Sequence, residues 1–248
     1  MTHAAFRGIE AVFFDVDDTL YDFEQSMRYA FEHLHAKFPD LFTEHKVDQL
    51  SDAYWSYYRG VPEERKVHLI NDDPDLFRRT MWAGALTRLG VRGELDALAT
   101  QLVEEMQRER PRHWRMAMYE GAAELLRDLK PRVRLGVITN GPSLVQRPKL
   151  EALDYLAYFP EERVFVSGEF GTRKPDARIF RAAAASAGVP PGRCAMVGDA
   201  REFDMPAKAI GFRTILFLGP RDAPDVSKDG HAPDAIARSY ADIRRLLL

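Results

Sequence analysis

The 248-residue chain reads as an α/β protein, a parallel-sheet core interrupted after its first strand by a helical insertion. Three observations predict this. An unbroken apolar run, Ala11 to Phe14, passes at once into Asp15-Val16-Asp17-Asp18-Thr19-Leu20. From Gly121 onward, stretches of helical spacing alternate with short apolar runs, the pattern of parallel strands joined by crossover helices. Between Asp22 and Arg115 every apolar stripe has helical spacing, over an interval too long for one crossover.

Each element follows in order. A short continuous apolar run suits a strand buried on both faces of a parallel sheet, so Asp15 is expected to emerge at its carboxyl end, where open α/β sheets bind ligands. The insertion carries four stripes: Met27, Phe31, Leu34 and Phe38; Val47, Leu50, Tyr54 and Tyr57; Phe77, Met81 and Ala85; Leu95, Leu98 and Leu102. Four stripes without strand signals predict a small helical bundle over residues 22–115, leaving 1–21 and 116–248 as the core. The aromatic run Tyr54, Trp55, Tyr57 and Tyr58 is expected to pack in that bundle, and Arg65, Lys66, Arg78 and Arg79 to form a solvated face.

In the core, Leu125, Leu126 and Leu129 mark a helix before a strand over Val133 to Ile138, which ends in Thr139-Asn140-Gly141. A helix from about Ser143 to Tyr155 precedes the strand Val164 to Val166. Lys174-Pro175 follows, and Pro175-Asp176 opens a helix carrying Ile179, Phe180 and Ala183 that stops at Gly188. The strand Ala195 to Val197 leads into Gly198-Asp199, then come a helix ending before Gly211 and a strand from Thr214 to Leu218. Residues 219–234 read as a surface loop and Tyr240 to Leu248 as a closing helix.

Composition narrows the function. Apolar residues make up 46% of the chain, enough for a full core. With 35 basic and 38 acidic residues, net charge -3, there is no general basic field for nucleic acid. No apolar stretch approaches the roughly 20 residues that cross a bilayer, and the N-terminus lacks a secretory segment. Cys194 is the only cysteine, so no intramolecular disulfide forms; it is expected in the core. A cytoplasmic protein is expected, as a monomer or small homo-oligomer.

Four motifs now stand in order: Asp15-x-Asp17-x-Thr19, the strand-terminal Thr139, Lys174-Pro175, and Gly198-Asp199-x4-Asp204. The set resembles the haloacid-dehalogenase-like hydrolase superfamily. The resemblance covers residues 1 to about 21 and 116 onward, and implies a three-layer, Rossmann-like α/β/α core with residues 22–115 as a mobile helical cap that selects the substrate. Two positions depart from the family's common form: Phe203 replaces a frequent Asn, and the run from Met205 to Gly211 is one residue shorter.

The residue types support the same chemistry. Carboxylates converging on one pocket repel by about 4 kcal/mol for each pair 4 Å apart at an effective dielectric near 20, so a cation must join them. The motifs offer hard oxygen ligands and no His or Cys, which favours Mg2+ over Zn2+. With Lys174 and a hydroxyl alongside, such a site receives a phosphoryl group, which a free carboxylate can attack.

By resemblance, Asp15 is the nucleophile and a metal ligand. Asp17 is the acid and base and meets the metal through its backbone carbonyl. Thr139, with the N–H groups around Asn140, binds phosphoryl oxygens; Lys174 steadies Asp15 and the phosphoryl group. Asp199 binds the metal, Asp204 orients its waters, and Thr19 shapes the first turn. The expected activity is a Mg2+-dependent phosphomonoester hydrolase acting on a small phosphorylated metabolite through an aspartyl phosphate. An acid at Asp17 points to an oxygen leaving group and away from a dehalogenase, because halide needs no proton. Other readings are a phosphomutase or phosphonate hydrolase on the same scaffold, and a non-catalytic phosphate-binding module. Plainer roles also stand: Asp15 and Asp17 as a solvated turn, Thr139 and Asp199 as helix caps, Lys174 as an exposed lysine, Asp204 as a helix-surface acid.

Overall fold

The structure, a computed structural model, describes residues 3–219 and 232–248. The predicted loop at 219–234 lies mostly outside the described residues. The chain divides into two compact units, Met1–Asp22 with Met118–Leu248, and Phe23–Ala117.

The second unit consists of α1 (Phe23–Lys37), α2 (Val47–Gly60), α3 (Glu63–Asp72), α4 (Pro74–Arg88) and α5 (Leu95–Met116). Four of these carry the predicted stripes. α3 does not: only three of its ten residues, Val67, Leu69 and Ile70, are apolar, too few to make a stripe. Phe31, Leu50, Met81, Trp82 and Leu102 are fully buried at the centre, with the Trp82 ring 5.9 Å from Phe31 and 5.2 Å from Tyr54. Trp55, Tyr57 and Tyr58 pack against this cluster, as the spacing predicts. Gly84 sits mid-helix, where glycine costs about 1 kcal/mol relative to alanine. A Cβ there would lie 2.2 Å from the Tyr57 ring, so the glycine is what lets α2 and α4 meet.

The basic face is a correction. Lys66 and Arg78 are buried, the Lys66 ammonium 4.3 Å from the centre of the Tyr58 ring and Arg78 donating to Asp75 at 2.6 Å. Their long aliphatic stems cover apolar surface while an aromatic face or a carboxylate takes the charge.

The other unit holds six strands: β1 (Ala11–Phe14), β2 (Arg134–Thr139), β3 (Val164–Val166), β4 (Cys194–Gly198), β5 (Arg213–Phe217) and β6 (Ala235–Ala237). All neighbours are parallel, in the order β3-β2-β1-β4-β5-β6. This is a Rossmann-like sheet. Its strand order reverses beside β1, the position at which such sheets place ligands. Every residue of β1 and β4 is buried, which requires layers on both faces. Ile179, Phe180 and Ala183 of α9 (Ala177–Ser186) cover the face of Phe13 and Met196, and Cys194 lies in the same cluster. Phe159 meets Phe14, 6.4 Å away.

The remaining helices are α6 (Ala122–Leu129), α7 (Ser143–Ala152), α8 (Ser167–Phe170), α10 (Arg201–Asp204) and α11 (Tyr240–Leu247). α7 stops three residues before Tyr155, which instead opens a 3-10 turn after Asp154 takes a left-handed backbone, φ 58°. The helix expected before Gly211 is one turn of α10 continued as 3-10 from Met205 to Ile210. No helix among the described residues is long and apolar enough to cross a membrane.

Candidate active site

Register sets the site. Phe14 pairs with Val137 on one side and Val197 on the other, so the chain leaves β1 flanked by the ends of β2 and β4. The Asp15 N–H still donates to the Val197 carbonyl at 2.9 Å, extending the ladder one residue. The chain then turns sharply: Leu20 N–H donates to Val16 at 2.9 Å, and Asp18 takes a left-handed φ of 55°. Aspartate tolerates that conformation better than most side chains. Two tyrosines pin this turn, Tyr155 donating to the Leu20 carbonyl at 2.9 Å and Tyr240 to that of Thr19 at 2.6 Å.

Asp15, Asp199 and Asp204 each offer a carboxylate oxygen within 4.8 Å of the others. Asp15 and Asp204 are buried. Lys174, 1% exposed, reaches in from between β3 and α9, its ammonium 2.9 Å from Asp15 and 2.6 Å from Asp204. It is not a surface lysine. Burial alone would push its pKa down, but the charges of Asp15 and Asp204 hold the ammonium well above its ordinary value. Burial pushes the Asp204 carboxyl up, and Asp15 adds to this against the pull of Lys174. Asp204 is no helix-surface acid: one oxygen accepts from Lys174 and the other from the Ala200 N–H at 3.1 Å. Gly198 makes room for it, since a Cβ there would lie 2.1 Å from Asp204 Oδ2.

At the end of β2, the Thr139 hydroxyl is fully buried with no hydrogen-bond partner among the described residues. It does not cap α7. Asn140 spends its side chain elsewhere, donating to the Lys174 carbonyl at 3.1 Å and accepting from the Lys174 N–H at 2.9 Å. That pair ties the β2 end to the segment carrying Lys174. The Thr19 hydroxyl is likewise buried without a partner.

Asp17 turns to a different set of groups. Lys149 donates to its Oδ1 at 2.5 Å, Tyr21 to the same oxygen at 2.5 Å, and Gln146 to Oδ2 at 3.0 Å. Burial would raise this carboxyl, but the Lys149 charge and the three hydrogen bonds hold it below its ordinary value. Sequence reasoning missed these partners. The available signal was positional: Gln146 and Lys149 stand three apart on the helix after Thr139, sharing one face, and Tyr21 stands four residues after Asp17.

At the ends of adjacent strands a parallel α/β sheet thus brings together three carboxylates and a buried lysine, a polar cluster that could hold a metal ion. A family profile described as haloacid dehalogenase-like hydrolase matches residues 9–209. The chain belongs to that family. It is 34% identical over 167 residues to phosphoserine phosphatase of Thermus thermophilus, a match covering 63% of this chain and 65% of that protein. It is 30% identical over 246 residues to the pyrimidine 5'-nucleotidase YjjG of Escherichia coli, covering 95% of this chain and 96% of that one. The fold matches the HAD-hydrolase YfnB of Bacillus subtilis, solved bound to magnesium, with a TM-score of 0.69 at 20% identity over 97% of this chain and 99% of that one.

Proposed function

We propose that this protein is a Mg2+-dependent phosphomonoester hydrolase of small metabolites, acting through an aspartyl phosphate on Asp15. The observation that carries the reading is the buried Asp15 carboxylate set 2.9 Å from the Lys174 ammonium inside a three-carboxylate cluster. The phosphatase and nucleotidase relatives support it.

Mg2+ fits the cluster. Three carboxylates against one lysine leave excess negative charge, and all donors are hard oxygens. Asp15, Asp199 and the backbone carbonyl of Asp17 would hold the ion. Asp204, with both oxygens already accepting, would act through water. When bound, Mg2+ offsets charge on the phosphoryl oxygens.

The protein's own residues do the rest. An Asp15 carboxylate oxygen forms a bond to phosphorus as the bond to the leaving oxygen breaks, and Asp17, which first takes up a proton against the pull of Lys149, gives it to that oxygen. Water then attacks phosphorus, the bond to Asp15 breaks, and Asp17 takes a proton from the water. Phosphate is released and the Asp15 carboxylate is restored. Lys174 orients the Asp15 carboxylate and offsets its charge. Thr139 supplies a hydroxyl whose buried, unmatched state a phosphoryl oxygen relieves. An acid at Asp17 serves an oxygen leaving group, which sets this reading above a dehalogenase.

We assign the helical unit Phe23–Ala117 the part of a substrate-selecting cap, supported by its place in the chain directly after the Asp15 loop. The single, buried Cys194, whose thiol burial pushes up to about 12, supports a cytoplasmic setting. The test is hydrolysis of p-nitrophenyl phosphate and a panel of metabolite phosphates with Mg2+. Turnover that disappears in Asp15→Asn supports the reading; a folded, metal-replete protein inert on the whole panel contradicts it.

A further inference from the structure

Lys149 is buried to 2% exposure, and a lysine so placed is almost always paired. Its pairing is specific. Besides Asp17, its ammonium meets Gln146 Oε1 at 2.9 Å and the Tyr21 ring at 5.1 Å from the centroid. Gln146, 3% exposed, is itself fixed by a second donation to the Asn140 carbonyl at 3.0 Å. Both oxygens of Asp17 are thus tied by three side chains, two from α7 and one from its own loop.

We propose that Lys149, with Gln146 and Tyr21, is a positioning device that sets where the Asp17 carboxyl stands relative to the leaving oxygen. The inference rests on the phosphatase reading, in which Asp17 handles both protons. An acid works only within hydrogen-bond reach of its target, and a displacement of 1 Å can cost on the order of a hundredfold in rate. An aspartate on a turn has two side-chain torsions free to carry it out of reach. Lys149 and Gln146 remove that freedom, and because they stand on the helix that follows Thr139, they couple the carboxyl to the strand end that holds the phosphoryl-binding hydroxyl. Burying an ammonium is costly, and a neutral side chain would suffice if α7 needed only to pack.

A structural role and a positioning role differ in their leaving-group dependence. p-Nitrophenolate departs without a proton, whereas an alkoxide needs one. The experiment therefore measures kcat and kcat/KM, the latter reporting phosphoryl transfer to Asp15, on p-nitrophenyl phosphate and on glycerol 2-phosphate. The proteins compared are wild type, Lys149→Met, Lys149→Arg and Tyr21→Phe. Lys149→Met is expected to lower kcat/KM for the alkyl ester by about a hundredfold and for the aryl ester by a clearly smaller factor, with the loss in kcat rather than KM. Lys149→Arg, which keeps the charge and N–H donors, recovers more alkyl-ester activity than Met. Tyr21→Phe removes only a hydroxyl from a buried ring and shifts the ratio in the same direction, so the test stands if Lys149→Met fails to fold. Equal losses on both esters, or an unchanged ratio, overturn the proposal. Wild-type activity and its loss in Asp15→Asn test the phosphatase reading separately; if they hold while the ratio is fixed, only the positioning role falls.

Discussion

Lys174 stands between two acids, its ammonium 2.9 Å from Asp15 and 2.6 Å from Asp204. Removing one partner of a buried ion pair strands the other. Lys174→Met leaves Asp15 and Asp204 facing each other without the cation they share, and unfolding free energy should fall by about 3–5 kcal/mol. Urea denaturation in chelator reads this. Adding Asp204→Asn should recover part of the loss, and a single substitution as stable as wild type would contradict the arrangement.

Gly198→Ala tests the seat of Asp204. The new Cβ would lie 2.1 Å from Oδ2 and 2.9 Å from the Asp204 Cβ, so the carboxylate must leave. Loss of such a supporting group typically weakens metal affinity 10–100-fold, and the Mg2+ concentration for half-maximal p-nitrophenyl phosphate hydrolysis should rise by at least about tenfold. An unmoved midpoint would show that Asp204 plays no part in holding the ion.

Chelation provides a simpler check on the same cluster. EDTA should abolish hydrolysis and Mg2+ restore it, while Ca2+, which demands six to eight ligands at longer distances, should compete without supporting turnover. Full activity in EDTA would separate the carboxylates from any metal.

The helical unit carries its own pH dependence. His113 is buried beside His33, ring centres 5.6 Å apart, and its Nδ1 has no hydrogen-bond partner among the described residues. Burial first, then the His33 charge, lowers its pKa below 6.5. Between that folded value and about 6.5 the unfolded chain binds more protons, so stability is full above this window and falls as pH drops through it. All three tryptophans, Trp55, Trp82 and Trp114, lie in this unit, so fluorescence follows its unfolding alone. His113→Leu should flatten the acid side of the curve; an unchanged slope would assign it to other groups.

Much of the fold is legible in the chain because its strands are buried on both faces and therefore spell continuous apolar runs. Ala11–Phe14 and Cys194–Gly198 are cases of this. β6 escapes because Ala235-Ile236-Ala237 is a three-residue edge strand whose central side chain is 42% exposed. α3 escapes because only three of its ten residues are apolar, too few to make a stripe. At the site, Asp15, Thr139 and Asp199 can be picked out because each follows an apolar strand, and parallel strands deliver such positions to one end of the sheet. Gln146 and Lys149 carry only a positional signal, a shared face on the helix after Thr139. In the sequence they are ordinary polar residues of a helix, and only the packing of α7 against the first loop turns them into a buried clamp. Asn140 shows the same limit: its turn is readable, but its bond to Lys174 spans 34 residues.

The central claim is that a carboxylate oxygen of Asp15 attacks phosphorus and carries the phosphoryl group as a transient acyl phosphate. The direct measurement is an acid quench of the Mg2+-loaded protein during turnover of a phosphomonoester, followed by borohydride reduction and peptide mass spectrometry. Reduction converts an aspartyl phosphate to homoserine, so the account predicts homoserine at position 15 and nowhere else, dependent on substrate. Turnover with an unmodified Asp15, or with the label on another residue, would contradict it.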